Sequence, residues 1–298
     1  MTFEGVRPVL HLPFADTPEQ PIIEDELAGL AERMLDQGVD GLAVPQLASE
    51  AWTLTDAERE RVIAIAAEVC AERAPLIVGL DGTTAVAVHR ARQAAAAGAA
   101  GLMVLPPRQA TSPDQLVRHY VAVADAADLP VMVQDSPQVT GVRLDVDTLA
   151  RMREAHPLVL AVKSEIPGAG AKASAIHASG LELVAGWGGL HYLEQLARGA
   201  VGCFPGCDLG PAIKAIDLAA RAGREDEAQA RYRRILPYLS LATASLDLLL
   251  LTAKRHLRRS GVFSTEVLRA PARTLDRRES QTVDALLDEL SAAGVPGF

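Results

Sequence analysis

Along its first 223 residues the chain alternates eight times between a short apolar run and a segment of helical period. Few folds accept that rhythm. The runs are 6–12, 39–44, 75–80, 101–105, 130–134, 158–165, 181–185 and 201–204. Between the first two, Leu27, Leu30, Ala31, Met34 and Leu35 recur at the spacing of one helix face, and Gly38 closes the segment. Thr55-Asp-Ala-Glu58 reads as a capping box, and Ser112-Pro113 as a helix start with proline at its first position. Helices are also expected over 84–97, 146–155, 168–179, 190–198 and 211–221, and a loop over 45–53. Eight strand–helix units predict a (β/α)8 TIM barrel over 1–223. The alternative, a doubly wound open sheet, lacks a Gly-x-Gly-x-x-Gly turn after its first strand. Residues 224–298 carry helical patterning without a strand and predict a helical extension packed on the barrel, with helices near 226–236, 238–257 and 278–293.

The run Leu158-Val-Leu-Ala-Val-Lys-Ser-Glu165 holds the most chemistry. Its apolar length suits a strand buried on both faces. Strict alternation would put Val159, Ala161, Lys163 and Glu165 on one face, and Leu158, Leu160 and Val162 on the other. In a barrel the second set packs under helices, while Lys163 and Glu165 reach the pocket at the C-terminal mouth. Lys163 is then either a solvated strand-end lysine or a desolvated amine able to form a Schiff base with a carbonyl substrate.

Composition narrows the function classes. The 298 residues are 49% hydrophobic, enough for one large core, and aromatics are only 4%, so Ala, Val and Leu supply its volume. The formal charge of -9 gives no electrostatic footprint for nucleic acid. The one basic cluster, Lys254-Arg-His-Leu-Arg-Arg259, reads as the exposed face of a helix near its C-terminal end. Cys70, Cys203 and Cys207 cannot form a complete disulfide framework, which suggests a reducing compartment. The start of the chain lacks a secretory pattern, and no apolar stretch is long enough to span a membrane uninterrupted. A cytoplasmic protein without nucleic-acid or membrane partners is expected. No Asp/Glu/His/Cys set has convincing metal-ligand spacing.

Several segments, taken in order, resemble the dihydrodipicolinate synthase / N-acetylneuraminate lyase family of class I aldolases. Gly38-Val-Asp-Gly-Leu-Ala-Val44, Glu50 and Leu54-Thr-Asp-Ala-Glu-Arg59 are similar to the family's second strand, Gly-Thr-Thr-Gly-Glu loop and next helix. His119-Tyr120 before Leu129-Pro130 is similar to its fourth helix and fifth strand. Val162-Lys163 stands where the family has its Schiff-base lysine; Gly199-Ala-Val-Gly202 matches the eighth strand, and Leu268-Arg-Ala-Pro271 the C-terminal helices. The resemblance covers nearly the whole chain. It implies a 2-oxo acid substrate, a covalent Schiff base on Lys163 with no metal required, and a homotetramer or dimer, although the residues themselves show no interface signal.

The departures are chemical. The family's Thr-Thr pair is Leu47-Ala48, and the following Gly is Ser49. Backbone N–H groups of that loop hold the substrate carboxylate in the family, and that role survives a change of side chain, whereas the hydroxyl relay does not. The Tyr-Asn-x-Pro motif is Gln134-Asp-Ser-Pro137, so the acid–base tyrosine is an amide with no usable pKa. The arginine that often follows is Val139, and Pro106-Pro-Arg-Gln109 lacks the paired tyrosine. This argues against dihydrodipicolinate synthesis and leaves Glu165 as the best candidate for the proton carrier, the alternative being a rim carboxylate that pairs with Lys163 or solvent. Gln134-Asp135 and Lys163-x-Glu165 followed by Ile166-Pro-Gly-Ala-Gly-Ala-Lys172 resemble a branch that includes 2-keto-3-deoxy sugar-acid dehydratases. Gly186-Trp-Gly-Gly189 and Gly202-Cys-Phe-Pro-Gly206 fit the same branch and would floor the pocket. Trp187 is then a stacking wall or a core residue. The expected catalytic residues are Lys163, Glu165 and Gln134; the expected substrate contacts are Leu47, Ala48, Ser49, Gly186 and Phe204. The expected reaction is dehydration or aldol cleavage through an iminium and enamine. The rival reading is a non-catalytic 2-oxo-acid-binding or regulatory protein on an aldolase fold.

Overall fold

The structure, a computed structural model, describes residues 3–166, 168 and 170–298. Pro167 and Ala169, within the Ile166–Lys172 segment and the helix expected over 168–179, lie outside them. In chain order the elements are β1 (Gly5–Val6), α1 (Glu24–Asp36), β2 (Leu42–Val44), α2 (Asp56–Cys70), β3 (Leu76–Leu80), α3 (Thr84–Ala96), β4 (Gly101–Val104) and α4 (Pro113–Ala127). Then come β5 (Val131–Asp135), α5 (Pro137–Thr140), α6 (Val146–Ala155), β6 (Val159–Ser164), α7 (Gly170–Ala178), β7 (Glu182–Ala185), α8 (Tyr192–Leu196), β8 (Ala200–Cys203) and α9 (Gly210–Arg221). The chain ends with α10 (Glu225–Ala242), α11 (Leu246–Arg259) and α12 (Arg277–Ala292). Thr55 and Ser112 cap α2 and α4 as their sequences require.

All strand pairs are parallel, in the order β1-β8-β7-β6-β5-β4-β3-β2. The two ends of that series meet. Asp40 N–H donates to Val6 O (2.9 Å), Ala43 N–H to Pro8 O (3.0 Å) and Leu10 N–H to Ala43 O (2.9 Å). The sheet is therefore a (β/α)8 barrel and not an open doubly wound sheet. The first strand pairs regularly only over Gly5–Val6 instead of 6–12, because Pro8 has no N–H to give the ladder. The backbone nonetheless stays beside β8, with Val9 N–H on Pro205 O at 2.8 Å.

Alternation sorts the strand side chains into two layers. Leu42, Val44, Leu76, Val78, Leu102, Val104, Val131 and Val133 pack under the helices. Ala43, Ile77, Met103, Met132, Ala161 and Val184 fill the interior with Phe3, Val9 and Phe204. β6 departs from strict alternation. Val131 pairs with Val159 but Met132 pairs with Ala161, so Leu160 is an extra residue in a β-bulge. Val159 consequently packs with the helix layer and Leu160 against the interior cluster, the reverse of the expected assignment. Alternation resumes at Ala161, and Lys163 pairs with Gln134.

The C-terminal helices share a core with the barrel. Tyr238 and Leu239 of α10 and Val283 and Leu287 of α12 pack with Val6, Tyr192, Cys203 and Ile213. The expected break at residue 237 is absent. Pro237 sits inside α10 on its exposed side, where the carbonyl it leaves free faces water. The break comes instead at Ser245, whose hydroxyl accepts from Leu248 N–H at 3.1 Å. The basic cluster is not an exposed face either. Lys254 and His256 are buried, Arg255 grips Asp284 of α12 through two bonds of 2.8 and 2.6 Å, and Arg259 reaches Asp284 and Asp288. The three cysteines are buried free thiols. Among the described residues no helix is long and apolar enough to cross a membrane.

Two glycines predict opposite outcomes for one substitution. A Cβ on Gly79 of β3 would lie 2.0 Å from Pro45 O, whereas one on the exposed Gly29 of α1 would meet nothing within 4 Å. Gly79→Ala is expected to destabilise by about 1–3 kcal/mol through overpacking. Gly29→Ala is expected to stabilise by about 0.5–1 kcal/mol through helix propensity. Thermal unfolding of the two variants checks the pair of signs.

Candidate active site

Three successive strands deliver the reactive groups to the C-terminal mouth of the barrel. β6 carries Lys163 inward and Glu165 just past its end; β5 carries Gln134 beside Lys163; Gly186 follows β7. Lys163 Nζ lies 3.0 Å from Glu165 Oε1, and both side chains are only 4% exposed. Gln134 Nε2 donates to Glu165 Oε2 at 2.8 Å, and Trp187 N–H donates to Oε1 at 3.3 Å. Gln138 Nε2 holds the Glu165 backbone carbonyl at 2.9 Å. Burial pushes the Glu165 carboxyl up, but the Lys163 ammonium, the Gln134 amide and the Trp187 N–H outweigh it and hold the group below its ordinary value. Glu165 is thus an ion-paired carboxylate with two further donors, not a rim carboxylate in solvent.

Gln134 is wholly buried, and with Nε2 committed to Glu165 its Oε1 has no hydrogen-bond partner among the described residues. That oxygen is an acceptor available to a donor entering the site. The next residue, Asp135, turns away from the chamber and pairs with Lys172 Nζ at 2.5 Å, tying the start of α7 to β5. Gly186 leaves space for the pair. A Cβ there would sit 2.4 Å from Glu165 Cγ and 2.9 Å from Lys163 Cε.

The turn after β2 faces Lys163 across a small chamber of about 30 Å³, lined by Leu47, Ala48, Lys163, Glu165, Trp187 and Phe204 among others. Leu47–Ser49 forms a 3-10 turn. Its first two N–H groups, on Leu47 and Ala48, have no acceptor among the described residues, as expected for helix-start donors. Ser49 is placed differently. Its hydroxyl donates to Leu10 O (2.5 Å) and accepts from Gln46 N–H (3.1 Å), and its own N–H donates to Gln46 O, so it braces the turn and does not line the chamber. Trp187 is both wall and anchor, since its Nε1–H donates to Thr243 O at 2.9 Å.

Above the chamber lies a wider vestibule of about 670 Å³ bordered by Asp81, Arg108, Gln109, Gln138, Val139 and Thr140. Gln46, Leu47 and Leu246 border both spaces, so they form the neck between them. A groove of similar size beside α4 shares none of its lining with the chamber. Sequence reasoning missed Leu246 and Leu249, which reach the chamber from α11, and Gln138. Nothing in the patterning of the last quarter of the chain marks a helix that returns over the barrel mouth. Among the described residues no group of three or more His, Cys, Asp or Glu side chains could hold a metal ion.

Comparison with known proteins agrees with this geometry. A profile of the dihydrodipicolinate synthetase family matches residues 2–290. An L-2-keto-3-deoxyarabonate dehydratase of Azospirillum brasilense is 34% identical over 276 residues, covering 90% of this chain and 88% of that protein. A 4-hydroxy-tetrahydrodipicolinate synthase of Streptomyces coelicolor is 34% identical over 267 residues, covering 88% and 87%. Among solved structures, a putative dihydrodipicolinate synthetase from Pseudomonas aeruginosa superposes with a TM-score of 0.89 at 26% identity, over 97% of this chain and 100% of that one. The fold, the inward lysine and these relatives together make the chain a lyase that belongs to the dihydrodipicolinate synthetase family.

Proposed function

We propose that the protein is a Schiff-base lyase acting on a 2-keto-3-deoxy sugar acid, by dehydration in the first instance. The observation that carries this reading is the buried Lys163–Glu165 pair at 3.0 Å, with an amide, Gln134, at the position where the family has its tyrosine. Lys163 passes a proton to Glu165 and attacks the C2 ketone as a neutral amine. The carbinolamine loses water to give an iminium, which restores the positive charge beside the Glu165 carboxylate. The iminium acidifies C3–H, and Glu165 removes that proton to form the enamine. The enamine expels the C4 hydroxyl, which takes the proton held by Glu165 and leaves as water. One carboxyl group thus carries the proton in both directions, and no tyrosine is needed.

The substrate carboxylate rests on the free N–H groups of Leu47 and Ala48. Gln134 Oε1 accepts from a substrate hydroxyl. Phe204 and Gly186 shape the floor, and the polyol tail extends through the neck into the vestibule. The similarity to the A. brasilense dehydratase supports this substrate class. Retro-aldol cleavage starts from the same iminium: a base takes the C4 hydroxyl proton, C3–C4 breaks to release an aldehyde, and the enamine left on Lys163 is protonated at C3 and hydrolysed to pyruvate. The family resemblance also carries a homo-oligomer with it, which sedimentation velocity tests directly.

Three outcomes check the reading. Cyanoborohydride with pyruvate or a 2-keto-3-deoxy pentonate is expected to leave a reduced adduct on the Lys163 peptide, and Lys163→Ala is expected to abolish both adduct and turnover. An unmodified Lys163 under conditions that label a control aldolase removes the mechanism; an adduct with no sugar acid consumed favours a binding protein instead. Glu165→Gln is expected to lower kcat by about 10²–10⁴-fold, the usual share of a general acid–base group, and a loss below about tenfold takes that role away. Gly186→Ala is expected to reduce adduct formation by displacing Lys163 and Glu165, with thermal stability separating this from unfolding.

A further inference from the structure

The ion pairs between α11 and α12 are made by Arg255 and Arg259 of the basic cluster, and Lys254 takes no part in them. It points the other way. Its side chain is 1% exposed and pairs with Glu50, which is equally buried. Lys254 Nζ also donates to Val267 O at 2.7 Å and sits 4.4 Å from the centre of the Phe14 ring. Glu50 Oε2 accepts from Arg269 N–H at 2.9 Å, and the Arg269 guanidinium binds Glu58 and Gln20 O. Two separate pieces of the C-terminal region therefore converge on one carboxylate of the turn after β2.

The backbone at Glu50 makes that carboxylate mechanically important. Glu50 has φ 52° and ψ 39°, a left-handed conformation that a non-glycine residue holds only under constraint. It is the joint between the turn Leu47–Ser49 and a second 3-10 turn, Ala51–Thr53. Its N–H closes the first turn on Leu47 O at 3.1 Å. The side chain that leaves this joint is the one that Lys254 holds. One turn earlier on α11, Leu249 packs with Ala48 and Phe204, and Leu246 borders the chamber. The same helix thus touches the turn from the chamber side and clamps it from behind.

We infer that Glu50 and Lys254 are positioning residues that set the Leu47 and Ala48 N–H groups relative to Lys163, so that the C-terminal helices are part of the substrate-carboxylate site. This rests on the proposal that the turn receives the carboxylate. Neither residue lines the chamber. Their action is on recognition of the carboxylate and leaves the chemistry of the Lys163 amine alone.

The test compares cyanoborohydride trapping of pyruvate with that of methyl pyruvate, which keeps the ketone and loses the carboxylate charge. In the wild-type chain pyruvate is expected to saturate at lower concentration than the ester. Lys254→Met is expected to raise the pyruvate concentration for half-maximal trapping by about ten- to a hundredfold, the scale of a misplacement near 1 Å, while ester trapping stays at its wild-type level. Because Lys254→Met strands a buried carboxylate, the double variant Glu50→Gln/Lys254→Met, which removes both charges, is measured beside it and is expected to show the same selective loss. Equal losses for acid and ester, or none for either, in the double variant overturn the latch. A wild-type chain that does not distinguish acid from ester overturns the carboxylate turn itself and the latch with it. Wild-type discrimination that both variants retain overturns the latch alone.

Discussion

A lysine and a glutamate inside a protein are tolerable only together. Taking each out of water costs several kcal/mol, and removing one partner of a buried pair costs about 3–5 kcal/mol because the other charge is left uncompensated. Lys163 and Glu165 meet that condition at 3.0 Å, and much of the surrounding structure serves it. Gln134 and the Trp187 N–H add donors to the carboxylate, Gln138 holds its backbone, and Gly186 withdraws the Cβ that would separate the two groups. Schiff-base chemistry suits such a place, since the pair's net charge is conserved at each proposed step: ammonium or iminium beside the carboxylate, amine or enamine beside the carboxylic acid. In the proposed mechanism, Gln134 in place of the family's tyrosine supplies a fixed dipole and no proton carrier, which leaves proton transfer to Glu165.

The small chamber and the wide vestibule divide the work. The chamber, at about 30 Å³, has room in the proposed reaction only for the reacting end of a substrate. Polar and charged side chains stand at the vestibule on two strand–helix loops, Asp81 after β3 and Arg108 and Gln109 after β4, where the tail of the proposed substrate would meet them. Those loops can change without touching the Lys163–Glu165 pair, which is how one barrel serves several substrates.

Much of the barrel was legible because alternation and helix period are written in residue types. Lys163, Glu165 and Gln134 were found by that route together with the family resemblance, and the structure brings all three together. The readings that failed share a cause. The bulge at Leu160 is a matter of backbone register, and one leucine among apolar neighbours carries no mark of it. Proline in a helix interior usually breaks the helix, but Pro237 stands on the exposed side of α10 and the helix runs through it. Lys254 reads as solvated because it belongs to a run of basic residues of which Arg258 and Arg259 are exposed, and its partner Glu50 stands about two hundred residues away. For Ser49, expected only as a substrate contact, the hydroxyl's acceptor Leu10 O is far away in sequence and becomes apparent only once the first strand is in place.

The neck and the ion pair behind it also bear on how the protein comes into being. A ribosome delivers the barrel strands first and α11 only after residue 245. Until then the turn at Leu47–Ser49 lacks the helix that packs on Ala48, and the carboxylate of Glu50 has neither Lys254 nor Arg269 to receive it. The barrel can collapse around Lys163 while synthesis continues, but the wall formed by the Leu47–Ser49 turn is braced only once residues 246–269 have emerged. A nascent chain of this design holds an amine in a half-built pocket until α11 and the Arg269 segment have been added.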